Sequence, residues 1–139
     1  MQTTFTFRTV GPGLTEMTDE IAAWLPRADG LLTLLVRHSS ASLLIQENAD
    51  PAVRRDLQEW LFRLAPRSDH QSMRYLTHTS EGPDDMPGHI RAAHLPVSLS
   101  IPVARGRMRL GRWQGLYLWE HRDRGRPREV AAHFRADGA

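Results

Sequence analysis

The sequence contains no cysteine and no lysine. Without cysteine there is no disulfide, no thiolate nucleophile and no cysteine-ligated structural zinc. Without lysine there is no Schiff base, and all 18 basic side chains are arginines, each a planar, permanently charged fork suited to carboxylate or phosphate. Also absent is any apolar run near the roughly 20 residues that a bilayer-spanning helix needs. The opening MQTTFTFRTV lacks the charged start and apolar block of a secretory signal. A cytoplasmic protein with no membrane partner is therefore expected. The formal net charge is only +2, weak grounds for a nucleic-acid partner. With 139 residues, 40% of them hydrophobic, and neither a repeat nor a linker-like stretch, the chain reads as one domain over residues 1–139.

What is there is a concentration of ionisable groups. The stretch YLTHTSEGPDDMPGH, Tyr75 to His89, holds His78, Glu81, Asp84, Asp85 and His89 in a segment that Gly82 and Pro83 interrupt. Imidazole nitrogen and carboxylate oxygen are ligands for zinc and related divalent ions, and the same groups serve as general acids and bases. The competing reading is a solvated acidic turn. Asp85 followed by Pro87 reads as the N-cap and first turn of a short helix that carries His89. That leaves Glu81 and Asp84 for proton transfer or for support of His78.

Around this loop the pattern is that of a mixed domain. Thr3 to Val10 alternates as a half-buried strand, and Gly11-Pro12-Gly13 ends it. Thr18 with Asp19 and Glu20 caps a helix whose apolar side is Met17, Ile21, Trp24 and Leu25. The apolar run Leu31 to Val36 is a central strand, and Ser42 to Ile45 begins another that ends at Gln46-Glu47-Asn48. Asp50-Pro51 opens a helix with Val53, Leu57, Trp60, Leu61 and Leu64 on one side. Strands follow at Val97 to Val103, Arg107 to Leu110, Gly115 to Glu120 and Glu129 to Phe134. About seven strands, two long helices and one short helix give an α+β domain with an antiparallel or mixed sheet. Arg105, Arg107 and Arg109 alternate on one strand face and read as an ordinary wetted surface. An RNA interface over Arg105 to Arg128 would use Trp113, Tyr117 and Trp119, but Leu110, Leu116 and Leu118 between them have the pattern of strand core and no RNA-binding motif is present.

Four motifs stand in order: His38-Ser-Ser-Ala-Ser-Leu, Glu47-Asn48-Ala-Asp50-Pro51, His78 with Glu81-Gly-Pro-Asp84-Asp85-Met-Pro-Gly-His89-Ile, and Gly111-Arg-Trp113-Gln114-Gly115 with Glu120-His121-Arg122. Together they resemble the YjbQ-like family, also called the secondary thiamine-phosphate synthase family, from about Phe5 to the last strand. The sequence departs from the family pattern at Ser39, Arg91 and Pro96. The resemblance implies a compact α+β fold on a sandwich-like sheet, a homotrimer, a polar pocket for a metal or an anion, and thiamine-phosphate synthase as a secondary activity.

With the resemblance, His38, His78, His89 and His121 gain weight over His70, His94 and His133. His78 and His89 are expected to bind one divalent metal, zinc the candidate, with His121 the first choice of third ligand and His38 the next. His38, Glu81 and Asp84 are the expected catalytic groups, and Glu120 with Asp85 the supporting ones. Glu47 and Asn48 either brace a histidine or help cap a helix. Trp113 and Gln114 are either core or the wall of a ligand site. Arg122 is the expected fork for a phosphate. Three functions result, in rank order: a metal-assisted enzyme, of transferase type, for a small phosphorylated or heterocyclic metabolite; a module that binds such a metabolite or a metal without turnover; and an RNA binder.

Overall fold

The computed structural model describes residues 1–138. The elements run β1 (Gln2–Arg8), β2 (Gly13–Glu16), α1 (Thr18–Trp24), β3 (Gly30–Val36), β4 (Ala41–Glu47), α2 (Pro51–Leu64), a 3-10 turn at Gln71–Met73, α3 (Asp85–His94), β5 (Ser98–Ala104), β6 (Arg107–Met108), β7 (Gln114–Glu120) and β8 (Pro127–Ala136). They form one five-stranded sheet, β1-β8-β3-β5-β6, and one three-stranded sheet, β2-β7-β4. Every pairing is antiparallel, so of the two expected arrangements the mixed sheet does not occur. The two sheets bury their facing residues against each other: Phe7, Leu32, Leu34, Ile101, Val130 and Phe134 on one side, Leu43, Leu116 and Leu118 on the other, with Ile21 of α1 and Met17 just ahead of it closing the cluster.

β3 shows how the apolar run is used. Leu32, Leu34 and Val36 point into the core, while Leu31 and Leu35 are 44% and 47% exposed on the outer face of the larger sheet. The run, with Thr33 in its middle, is thus a central strand as expected, with one face covered. β7 is the strand buried on both faces. Its Leu116 and Leu118 meet the larger sheet, and its outer residues lie under α2: Trp119 Nε1 donates to Gln58 Oε1 at 2.7 Å, and the Arg54 guanidinium sits 5.5 Å from the Tyr117 ring centroid. β8, late in sequence, is central in space, with Phe5 opposite Val130 on one side and Leu34 opposite Ala132 on the other.

Helix boundaries follow local chemistry with two corrections. Asp50 caps α2 as expected, its Oδ1 accepting from Ala52 N at 2.9 Å with Pro51 in the first turn. Thr18 does not cap α1: Met17 holds the cap position without a side-chain bond, and Thr18 Oγ1 instead donates to Glu16 Oε2 and accepts from Leu116 N, fastening the helix start to β7. The strand β2 was not anticipated. Its four residues, Gly-Leu-Thr-Glu, carry too little periodicity to register alone and are held by pairing with β7. α3 runs ten residues and α1 only seven, so the helix expected to be short is the longer of the two. No described helix is long and apolar enough to cross a membrane.

Candidate functional site

α3 starts where Gly82, at φ 102°, lets the chain turn sharply ahead of Pro83. Asp85 is the first helical residue and His89 lies one turn on, so both share a helix face. The loop before the helix brings His78 to the same place. Asp85 Oδ2 lies 2.8 Å from His78 Nε2 and 3.4 Å from His89 Nε2. The two rings stand edge to face, 5.9 Å between centroids. Ligand-capable atoms of all three residues fall within 4.8 Å of one another. Asp85 is only 2% exposed, while His78 is open to solvent and His89 partly so. Glu81 Oε2 approaches His78 Nε2 at 3.8 Å from the solvent side.

Arg122, just past the end of β7, anchors the other edge. Its Nη1 donates to Asp85 Oδ1 at 2.9 Å, its Nε to Asp84 Oδ2 at 2.9 Å and its Nη2 to the Glu81 carbonyl at 3.2 Å. Asp84 Oδ2 also accepts from Asp123 N at 2.9 Å. Burial pushes the Asp85 carboxyl up, but the His78 hydrogen bond and the charges of His89 and Arg122 outweigh it and hold it below the usual carboxylate range. Asp84 is held down in the same way, desolvation being overcome by Arg122 and the Asp123 amide. Both are therefore carboxylates at neutral pH.

A second tier supports Arg122 from beneath. Glu120 is fully buried, and its Oε2 accepts from the amides of His121 and Arg122, both at 3.0 Å. Its other contacts are Thr9 Oγ1 at 2.7 Å and the Arg128 guanidinium, which also bonds Ser40. Burial would raise the Glu120 pKa; Arg128, Thr9 and the Arg122 amide lower it further than burial raises it. The Gly88 face of α3 sits on this layer, with Ser40, His121 and Arg122 side-chain carbons 3.5–3.7 Å from where a Cβ would stand.

The other expected site residues are placed elsewhere. His121 is fully buried, with Nε2 paired to Ser42 Oγ at 2.7 Å and its ring tilted against Trp119, and it is not part of the three-residue cluster. Burial, with the nearby positive charge of Arg91, pushes its pKa down to about 3. His38 accepts a hydrogen bond from Glu129 N through Nε2 at 2.8 Å, and burial lowers its pKa. Glu47, Asn48, Trp113 and Gln114 do come together: Asn48 N donates to Trp113 O, Asn48 Nδ2 to Gln114 O, and Gly111 N to Gln114 Oε1. In the β4–β7 register, however, Glu47 faces Gln114 while Ala41 faces Glu120, so this group is six residue pairs away from the Arg122 end, about 20 Å along the strands. Trp113 is exposed, with Arg112 stacked 4.7 Å from its ring centroid, and is not core.

Two assignments change in consequence. Asp85 is not the helix cap: Asp84 occupies that position, makes no capping bond, and Asp85 is the buried carboxylate between two histidines and an arginine. Arg122 commits all three guanidinium nitrogens within the chain and holds carboxylates where a ligand phosphate was expected. The sequence signal for Asp85 was its four-residue spacing to His89, which puts the two on one helix face. Two imidazoles and one buried carboxylate suit a catalytic zinc or a related divalent ion. Tetrahedral zinc ligands lie roughly 3.3 Å apart, and the three ligand-capable atoms here stand within 4.8 Å of one another. The Arg122 bond to the second carboxylate oxygen is the outer support such sites carry.

Residues 3–137 match the family model described as UPF0047 protein YjbQ-like. The chain is 43% identical over 122 residues to the UPF0047 protein YjbQ of Salmonella typhimurium, covering 88% of this chain and 85% of that one. It is 52% identical over 104 residues to a UPF0047 protein of Synechocystis sp., covering 75% and 68%. A conserved hypothetical protein from Thermus thermophilus has the same fold in its crystal structure, with a TM-score of 0.84 and 33% identity over 96% of this chain and 99% of that one. The chain is a member of the YjbQ-like UPF0047 family.

Proposed function

We propose that His78, Asp85 and His89 hold one divalent metal ion, zinc first among the candidates, and that the chain is a metal-assisted enzyme for a small phosphorylated or heterocyclic metabolite. The observation that carries this reading is the convergence of two imidazole nitrogens and one buried carboxylate oxygen within 4.8 Å, open to solvent on the histidine side. When bound, the ion would supply Lewis-acid polarisation and a water of lowered pKa. The chain's own residues then divide the remaining work. Arg122 and the Glu120 layer fix Asp85, and Arg122 with the Asp123 amide fixes Asp84. Glu81, exposed and 3.8 Å from His78, is the carboxylate free to accept or deliver a proton.

Calorimetric titration of metal-stripped protein with zinc tests the site. One ion per chain is expected, and unchanged zinc affinity in a folded His78→Ala, His89→Ala double variant would overturn it. A second reading, a module that binds without turnover, is favoured by one fact: Asp84 and Asp85 are both committed to Arg122 and the histidines, leaving Glu81 as the exposed acid of the cluster. Thiamine-phosphate synthase turnover, the secondary activity the family resemblance implies, is the provisional readout. Glu81→Gln should cost about 10²–10⁴ in rate if Glu81 moves a proton; equal turnover puts the binding module first. The homotrimer belongs to the same reading and is supported by the uncovered sheet face with Leu31 and Leu35. A monomer mass in light scattering at micromolar concentration would remove it.

A further inference from the structure

The hairpin between β5 and β6 turns on Arg105 and Gly106, both left-handed at φ 51° and 79°. It does not project freely. Gly106 N donates to Ala28 O at 2.9 Å, Arg105 N to Asp29 Oδ1 at 2.6 Å, and a Cβ on Gly106 would stand 2.8 Å from Pro26 O. The turn is therefore pressed against the segment between α1 and β3, which needs glycine there for both its φ and its close approach. Past the turn, β6 pairs back on β5 with Ala104 opposite Arg107, and Arg109 N donates to Pro102 O at 2.8 Å.

The effect is to gather Arg27, distant in sequence, with Arg105, Arg107 and Arg109 around one cavity of about 450 Å³ walled also by Ala104 and Met108. All four arginines are exposed, and none forms a salt bridge among the described residues. The nearby Asp29 spends one oxygen on the Arg105 amide. Charged side chains on an edge strand commonly guard it against pairing with other chains. Guarding the β6 edge explains Arg105, Arg107 and Arg109, but not the set of backbone bonds that brings Arg27 to the same cavity. Four uncompensated forks around one concave space make an anion cradle, because each guanidinium offers paired donors matched to phosphate oxygens.

We propose that the Arg27, Arg105, Arg107 and Arg109 groove binds a compact polyanion of two or three linked phosphates. No residue of the His78, Asp85 and His89 cluster lines it, so it is a second site, independent of metal. Inorganic tripolyphosphate is the probe, titrated by calorimetry into metal-stripped protein at low and moderate salt. The expected result is saturable binding of one tripolyphosphate per chain that weakens with salt. It should weaken roughly tenfold or more in Arg27→Gln and in Arg107→Gln, each of which removes charge-assisted hydrogen bonds while keeping an exposed stem. His89→Ala should leave it unchanged, with thermal melting confirming that every variant is folded. Affinity unaltered by both arginine substitutions, or no saturable binding at low salt, overturns the proposal. Displacement by single-stranded homopolymer RNA, binding far more tightly through the same arginines, replaces it with a nucleic-acid face. If His89→Ala alone abolishes binding, the anion sits at the histidine cluster and the groove is edge protection only.

Discussion

Asp85 and Arg122 are 37 residues apart and meet at 2.9 Å between Oδ1 and Nη1, leaving the other carboxylate oxygen to the two histidines. One oxygen is thus fixed by the end of β7, and the other is aimed at the place where a cation fits. A carboxylate held in this way cannot rotate to follow a ligand, so whatever binds must adapt to it.

Asp85→Asn should behave as a site mutation and not as the loss of a cap. The amide keeps size but loses the charge that Arg122, His78 and His89 surround. Arg122 retains Asp84 and is partly exposed, so the stability cost is set at about 1–3 kcal/mol, below that of a fully buried broken pair. Zinc affinity should drop at least 100-fold by calorimetry; denaturant melts measure the other quantity. Retained zinc affinity in a folded variant would remove Asp85 from the ligand set.

Arg122→Lys tests support without touching a ligand. A single ammonium keeps the charge but cannot bridge Asp84 and Asp85 from two separate nitrogens as the fork does. Loss of outer support of this kind lowers metal affinity about 10- to 100-fold. An unchanged affinity would mean that Asp85 is oriented by α3 alone.

The buried His121 gives a stability slope. Its folded pKa of about 3 lies below the ordinary histidine value of ~6.5, so between the two the unfolded chain binds a proton that the folded chain refuses. Stability is therefore full above about pH 6.5 and falls as pH drops toward 3, with a slope approaching about 1.4 kcal/mol per pH unit from this group. Burial first, then Arg91 and Arg128, hold the ring neutral and Glu120 opposes them, while Ser42 bonds the ring and Trp119 packs against it. His121→Gln should flatten the stability profile between about pH 6 and pH 4.5; a profile identical to wild type would show that another group sets it.

Glu120→Gln should be costly although it touches no ligand. Arg128, almost fully buried, loses its counter-charge, and breaking such a pair from one side costs about 3–5 kcal/mol. Chemical denaturation measures this, and a cycle with Arg128→Met isolates the coupling between the two.

Much of the fold was legible because its strands obey simple patterns. Phe5 and Phe7 alternate with threonines and arginine, and Asp50-Pro51 starts a helix where those residue types usually do. His78 in the loop and His89 on the helix that follows it stood out because imidazoles cluster there with carboxylates. Asp85 was misassigned because a carboxylate just ahead of Pro87 satisfies the capping pattern whether or not its side chain turns back to the backbone. Arg122, brought in from just past β7, and the two histidines hold it turned away. Glu47 and Asn48 meet Trp113 and Gln114 at the end of the β4–β7 pair far from Arg122, a position that the order of motifs along the chain does not disclose. His121 follows a strand whose two faces are both covered, a fact that depends on α2 and α3 and not on the strand's own composition.

The central place of β8 has a kinetic consequence. Until its residues have left the ribosome, β1 has no neighbour in the larger sheet and β3 pairs on one side only, so Phe5 lacks its neighbouring strand and Leu34 lacks one of its two. Nascent chain is thus committed to waiting: early strands stay unsatisfied for most of synthesis, and the domain closes in one late step dominated by contacts distant in sequence. A nascent chain stalled ahead of Pro127 should be cut by protease across β1 and β3, and should become resistant once Ala136 has emerged.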